Sequence, residues 1–497
     1  MAAIVSVLCA IGYARGGLPL ARSSRMAVRM VALSPPTASD LDAYAARPDA
    51  DADAWVKSVD LDAFQADVMA LGRRLKAEQG EDDVAHLRKI VGWSNACGAV
   101  GVLSLLLPPN PLTIAALSTW TFSRWTMIAH HTCHGGYNGQ DERFNSRVFA
   151  VGSTVRRAAD WFDWMLPEAW NVEHNNLHHY RLGEIEDPDL VERNLQTLRE
   201  MPLPMPLKRV AVAAIAGVWK WFYYAPNTFK QLKLAEARKA GGPIAPDVDP
   251  HAALTLNSVF VPLPGEAPSG VSAVDFMATV MLPYLVGHFL VLPLPMVAAA
   301  AALGLPALPL FVNALTNLLV ADVVSNVHSF IVIATNHAGD DLYRFEKGPA
   351  RVNSGTWYMR SVVSSANFRT GGDVNDFLHG WLNYQIEHHV RAQRAARAFR
   401  LQGARSAMRS ATRRSARPPT PRPLSGGAAQ VWPNLSMLSY QKSAPELRAI
   451  CEKHGVPYVQ EGVFARLARL TDIMIGKTSM REYKPEWEKP ADFVAGA

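Results

Sequence analysis

Cysteine is scarce in this chain: Cys9, Cys97, Cys133 and Cys451 are scattered through 497 residues, and no two form a CxxC pair. That excludes a small disulfide-stapled fold and a zinc–thiolate site, and it fits a reducing compartment. Acidic residues are missing from two stretches. Residues 1–39 contain no Asp or Glu but carry Arg15, Arg22, Arg25 and Arg29 among Ser and Ala, the composition of a plastid transit peptide. The apolar stretch Ala2 to Tyr13 leaves two other readings open, a secretory segment leading to the endoplasmic reticulum and a plain flexible terminus. The second stretch, residues 391–430, holds ten Arg. Without those ten the net charge falls from +6 to about −4, so the basic balance is local and describes no nucleic-acid surface. Internal repeats of the solenoid kind are absent as well.

What the chain does have is apolar mass: 49% of its residues are hydrophobic and the mean hydropathy is zero. Soluble proteins are more polar and pure helical transporters more apolar, so a few membrane spans with a large polar portion are expected. Val91 to Leu107 and Pro111 to Ala129 are apolar runs separated by Pro108-Pro109-Asn110, each near the length that crosses a bilayer. A second pair runs from about Val274 to Leu292 and from about Leu308 to Ile333 around a proline-rich corner. Buried helices of a soluble domain are the bland alternative. Before the first run, Leu61, Phe64, Val68, Leu71 and Leu75 recur at helical spacing and predict a soluble amphipathic helix. Lys208 to Tyr224 is apolar but broken by Lys220 and crowded with aromatics, so it is expected to lie at a headgroup interface rather than to cross. Helical patterning returns at Ala444 to His454 and Val463 to Ile475. The expected fold is an all-α integral membrane protein, with about four transmembrane helices in two hairpins and a helical cap on the cytosolic or stromal side. Its parts divide into a targeting peptide (1–39), a soluble helical segment (40–90), a membrane domain (91–390), an Arg-rich insertion (391–431) and a C-terminal cap and tail (432–497).

Histidine is unevenly spread. Three windows, His130-His131-Thr132-Cys133-His134, His174-Asn175-Asn176-Leu177-His178-His179 and Gln385-Ile386-Glu387-His388-His389, hold eight of the 15 His, where even scatter would place fewer than one. On an α-helix residues four apart share a face. His130 and His134 can then chelate one metal, and His174 and His178 repeat the arrangement. His179, turned about 100° away, can reach a second metal. His388 and His389 diverge in the same manner, with Gln385 one turn earlier. Imidazole suits iron, zinc, copper and nickel alike. So many nitrogens exceed the needs of one tetrahedral zinc, and no thiolate contributes, so a pair of metals is the economical reading. Such a site can cycle iron through O2 activation. Glu173, Glu184, Glu186, Asp187, Asp376 and Glu387 lie close enough in sequence to accept the other ring N–H of these imidazoles. The first window begins where the first hairpin ends and His337 follows the second, so an even number of spans lets all the windows converge on one membrane face. His328 and His379 read as hydrogen-bonded packing, and His86, His251, His288 and His454 as structural or surface residues. Asn336 reads as a helix cap that can alternatively hold a metal-bound water.

HHTCH, HNNLHH and HGWLNYQIEHH resemble the three histidine boxes of the membrane fatty-acid desaturase family, over roughly Ile90 to Tyr483. The third box, with Gln385 where other desaturases carry His, is similar to the branch of front-end and related acyl-lipid or linoleoyl-type enzymes. The resemblance implies two non-haem irons, O2 as oxidant, a lipid acyl chain as substrate and a cis double bond as product. It implies a metal set of His130, His134, His174, His178, His179, His388 and His389, and it nominates His337 through Ala334-Thr335-Asn336-His337. His131, Gln385 and Asn336 stand as further ligands or as supports of the ligands. There are departures from the family pattern. His131 occupies the usual Asp position of box one, and box two has three residues between His174 and His178 where strict front-end members have two. No HPGG haem-binding signature is present, so an external electron donor is implied, ferredoxin in a plastid or cytochrome b5 in the endoplasmic reticulum.

The Arg-rich segment interrupts the resemblance. Deleting Arg391 to Val431 would give QIEHHVWPNLSML and restore the family's Pro three places after the last His. With its Ala/Arg/Pro/Ser bias, the segment reads as translated non-coding sequence, disordered and dispensable, against the alternative of an arginine loop that binds anionic headgroups. Trp125 and Trp381 are expected to shape the bend of an acyl slot. Two rivals stay open. One is a hydroxylase or ketolase on the same scaffold, acting on acyl chains, sphingolipid bases or carotenoids. The other is a metal-binding membrane protein without catalysis, which predicts ligands in mid-span.

Overall fold

The computed structural model describes residues 53–241, 248–261, 270–390 and 435–493. The targeting and Arg-rich segments expected from the sequence lie outside the described residues. The described chain is predominantly helical. α1 (Leu61–Glu78) is capped by Asp60, whose side chain accepts from the N–H groups of Asp62 and Ala63, and it buries Leu61, Phe64, Val68, Leu71 and Leu75. α2 (Glu81–Leu103) starts at Glu81 rather than at Val91 because Glu81, Asp82 and Asp83 complement the positive end of its dipole. After a short turn, Asn110 caps α3 (Pro111–Phe122), accepting from Thr113 N–H, with Pro111 at the first helical position. The two helices pack closely because Gly98 and Gly101 leave room. A Cβ at Gly98 would stand 2.8 Å from the Trp120 ring, and one at Gly101 2.7 Å from Leu117.

α4 (Pro167–Glu173) carries box two at its end. α5 (Met205–Trp219) and α6 (Ala225–Lys239) are joined through Lys220–Tyr224 into one long helix. Lys220, the charge that suggested a headgroup interface, is wholly buried and paired with Asp163 at 2.7 Å, so this turn faces protein instead. α7 (Ala273–Ala302) and α8 (Ala307–Ile333) follow. These are the two helices, among the described residues, that are long and apolar enough to cross a membrane. α7 runs through Pro293 and Pro295, and the chain reverses later, at Gly304, whose φ of +83° only glycine adopts without strain. α2 is less apolar because charges fill its start, and α3 is only 12 residues long before Arg124 enters the wide turns that follow it.

α3 packs against both α2 and α8. At the ends away from the histidines, Asn317 Nδ2 donates to the carbonyls of Leu105 and Leu107 at 3.0 Å each, and Asn313 Nδ2 donates to that of Leu106 at 3.1 Å. These bonds satisfy carbonyls left over where α2 ends. At the histidine end a cap is built from a strand β1 (Tyr343–Phe345) and from α9 (Gly355–Val363), α10 (Gln385–His389), α11 (Met437–His454) and α12 (Val463–Met474). A last strand, β2 (Arg481–Tyr483), pairs with β1 in parallel. α1 packs on α9 and α11, so the two ends of the described chain close over the same face. Arg466 of α12 is buried and donates to Asp341 at 2.8 and 2.7 Å, which pins the cap to the segment that follows α8.

Candidate metal centre

Box one rides on the end of α3. The stretch Ser123–Ala129 is wound in wide turns, bonded i to i+5, before His130–Cys133 returns to the α form. His134 N–H then donates to His130 C=O at 3.0 Å, and the two Nε2 atoms lie 3.1 Å apart. His388 of α10 brings its Nε2 to 3.1 Å from that of His130. With His174 they form a group whose ligand nitrogens all lie within 4.8 Å of one another. A second group at the same spacing joins His178, His337 and His389.

Box two departs from α-helical spacing. His174–His178 is itself a wide turn, closed by His179 N–H on His174 C=O, so the residue five places on sits above His174. The Nε2 atoms of His174 and His179 are 3.3 Å apart. His178 instead turns toward His337 and His389, at ring-centroid distances of 4.9 and 5.0 Å. The face argument puts His174 and His178 on one metal and His179 on the other; the structure keeps His174 and His178 near each other but also divides them between the two imidazole groups. His174 enters the first group and His178 the second. His179 stands between them, 4.6 Å from the rings of His134 and His388 and 4.5 Å from that of His389. His388 and His389 do divide between the groups, as adjacent helical residues must. His174 and His178 meet again at Asp189, whose carboxylate lies 3.9 Å from His178 Nδ1.

The donor set fits metal ions. The Nε2 atoms of His134 and His388 both lie 3.1 Å from that of His130. A ring proton satisfies one such contact, and the remaining lone pairs repel unless a cation lies between them. Nitrogens about 2.1 Å from a shared ion stand roughly 3.0 to 3.4 Å apart, which is the spacing here. His178 donates from Nδ1 to Asp187 at 2.8 Å, and its Nε2 is buried without a hydrogen-bond partner. A carboxylate behind the ring fixes the tautomer and leaves Nε2 as a lone-pair donor. Gln385 Nε2 lies 2.9 Å from His337 Nε2 and 3.0 Å from His389 Nε2, while its Oε1 is buried without a partner. Amide O and N exchange places by rotation, and turning Gln385 puts its carbonyl oxygen into the second group.

Burial and the neighbouring imidazoles hold His174 well below the usual range. Burial, helped by His178, takes His337 down to about 3. Both rings are therefore neutral, the form that binds metal. Burial also opposes the charge on His178, but Asp187 outweighs it and raises that pKa, while His178 overcomes burial to lower that of Asp187. Buried Glu173 and half-buried Asp189 pair their carboxyls behind these rings, and desolvation pushes both up, Asp189 to about 6.

Of the carboxylates in the sequence reading, Asp187 bonds a box histidine, His178. Glu387 accepts from Tyr458 and Asn367 at 2.7 and 2.8 Å, Asp376 from Tyr384 at 2.8 Å, and Glu184 from Arg360 at 2.6 Å. Glu186 lies 3.7 Å from Arg181. His131 belongs to neither group: its Nδ1 bonds Met127 C=O at 2.7 Å. Asn336 donates to Leu382 C=O at 2.7 Å, tying the end of α8 to the approach of box three. His328 donates to Leu378 C=O at 2.7 Å and stacks on Phe122, and His379 bonds Asn375 C=O at 2.8 Å, both as packing residues. His86 and His454 pair with Asp373 and Asp67, and His288 stacks on Tyr284. Trp125 packs near Trp161 and Trp381 near His86, and neither lines the 1270 Å³ cleft beside α4 and α6. Sequence reasoning missed Asp189 and Tyr440, whose hydroxyl lies 3.4 Å from His388 Nδ1. Asp189 had a signal, a second acid two places after Asp187, whereas Tyr440 had none.

Fold and site together define a helical protein with membrane-length apolar helices and a buried histidine centre able to bind metal. The fatty acid desaturase family model matches residues 105–418, more than half of the chain and all three boxes, and the chain belongs to that family. The match is narrower than the resemblance read from the sequence, since the end of α2, α11 and α12 lie outside it. Comparison with curated proteins and with solved structures finds no match.

Proposed function

We propose that this chain is a membrane-embedded, O2-dependent acyl desaturase whose two histidine groups hold two irons. The observation that carries the reading is the division of adjacent His388 and His389 between two imidazole groups that share no member. His130, His134, His174 and His388 would hold one iron, and His178, His337 and His389, with Gln385 through its carbonyl oxygen, the other. His179 lies where it can serve either, and His131 and Asn336 support the boxes. When bound, such irons supply O2 activation, so that two hydrogens leave adjacent methylenes and, with two electrons and two protons from a donor, O2 leaves as two waters.

The chain's own residues prepare that chemistry. Asp187 holds the proton on His178 Nδ1 and so aims the ring, and the burial of the first group and of His178 and His389 excludes water from them. Four spans in two hairpins are supported by the asparagine clamps. They set the α2–α3 turn level with Asn313, and α8 rises about 35 Å from there to Asn336 at 1.5 Å per residue, enough for a hydrocarbon core of about 30 Å. An acyl-lipid substrate is supported by the third box, an external donor (ferredoxin or cytochrome b5) by the missing haem signature, and a plastid membrane by the composition of residues 1–39.

The test is expression in a host of simple lipid composition, with and without residues 391–431, followed by double-bond mapping and metal analysis. A new cis double bond with two irons per chain is the expected result. An added oxygen alone would make the enzyme a hydroxylase, and bound metal with no lipid product would make it a non-catalytic metal protein.

A further inference from the structure

Two cavities meet beside box two, and no box histidine lines either. The larger is a cleft of 1270 Å³ between α4, α6 and the start of α7, walled by Leu166, Val172, Phe229, Leu232 and Pro283. The smaller, 140 Å³, shares Leu177, Gln231 and Arg238 with it and adds Arg181, Arg193 and His251 against one carboxylate, Glu186. At roughly 30 Å³ per water, the small cavity has room for four or five waters, or for one phosphate group.

Its positive charge is only partly answered. Arg193 donates to the carbonyls of Ile185 and Asp187, not to a carboxylate. Arg181 leans on Glu184 and Glu186, at 3.2 and 3.7 Å. Arg238 is exposed and makes no ion pair among the described residues. The field is felt nearby: burial first, and then Arg193, lowers His251, and burial with a contribution from Arg193 takes Lys230 down to about 8. The cleft also carries Arg157, Glu168, Lys233, Glu236 and Lys239 among its apolar walls, so a cation-rich pocket of this size beside it is complementary to a ligand with an anionic head, a polar middle and an apolar body. Ala278 and Thr279 of α7 line the cleft, so that body would lie against a helix of membrane length.

We propose that this double cavity binds a phosphate-bearing glycerolipid, with its phosphate among Arg181, Arg193 and Arg238 and its glycerol ester region and one acyl chain in the cleft beside α7. The inference rests on the reading of α7 as a span and not on the metal chemistry. Arginine suits the task because its fork pairs with two phosphate oxygens at once.

The test uses the full-length, iron-loaded protein in detergent, titrated calorimetrically with short-chain phosphatidylglycerol, the matching diacylglycerol, coenzyme A and inorganic phosphate. Phosphatidylglycerol should bind at least about tenfold tighter than diacylglycerol, the size of one charge-assisted contact. R238Q should erase most of that preference and R238E all of it, with iron content unchanged. Equal binding of the two lipids, or an unchanged preference in both variants, would overturn the proposal. Competition by coenzyme A or inorganic phosphate as strong as by the lipid would also overturn it, by assigning the pocket to a soluble anion. Failure of the desaturase reading would appear separately, as missing iron or missing product in the parent protein.

Discussion

The two histidine groups share boxes two and three, but box one serves only the first and His337, outside the boxes, only the second, and their surroundings differ. The first gathers imidazoles of box one, box two and box three, and its rings pack on Trp170, with His174 stacked at 4.5 Å and His130 at 5.2 Å. Four nitrogens complete a tetrahedral donor set without help. The second has three imidazoles, one of them, His337, only half-buried, and it leans on polar supports: Asp187 behind His178 and the Gln385 amide beside His337 and His389. A group closed by aromatic packing should hold its ion by geometry, whereas one completed by an amide and a carboxylate should hold it by how well those neighbours are placed.

The sharpest way to break this contrast is to remove a nitrogen from the self-sufficient group. H130A should cost one iron per chain and lower product formation by more than about 100-fold, since loss of a ligand exceeds loss of a ligand's support. If metal analysis still finds both irons, the first group is not a site. D187N comes next: the second ion should bind 10- to about 100-fold more weakly while the first is unchanged, measured by titration against a chelator. Equal weakening of both would erase the distinction drawn here. Q385A should weaken the second ion by about tenfold, and Q385H, by adding an imidazole, should restore it.

The smallest effect belongs to a control outside both groups. Asp373 ties α2 to α11, and its carboxyl is held far below the usual range by hydrogen bonding to His86 first, and then to Lys89 and Gln441. Because the folded pKa is depressed, this stabilisation is fully present above about pH 4 and is lost as pH falls toward the folded value. D373N should cost about 1 kcal/mol at neutral pH, the low end for a partly exposed group, as read by denaturant melting. Parent and variant should converge in acid, and the relative iron affinities of the two groups should not move, because box three supplies a histidine to each.

Much of this arrangement was legible in the chain. The α-helical pair His130 and His134 and the divergence of His388 and His389 follow from helix geometry alone, and so does α1 from the spacing of its buried face. Box two was legible only in part, because the wide turn at His174–His178 is not written in any local propensity. It adds one residue to the turn and moves the shared face from His178 to His179. Lys220 looked like an interfacial residue because a lone charge in an aromatic run usually reaches water, and only folding revealed Asp163 waiting for it. The carboxylates failed as a set for a related reason. Nearness in sequence does not say which way a side chain points, and Glu184, Asp376 and Glu387 spend their oxygens on Arg360, Tyr384 and Tyr458.

By itself the sequence determined where the histidines cluster and that apolar runs lie between the clusters, because residue type and periodicity are local properties. Tertiary structure alone decided which imidazole joins which group, that Asp187 rather than its acidic neighbours backs a ligand, and that a basic pocket opens beside box two. Those outcomes depend on distances between residues far apart in the chain, which packing sets and local propensity does not.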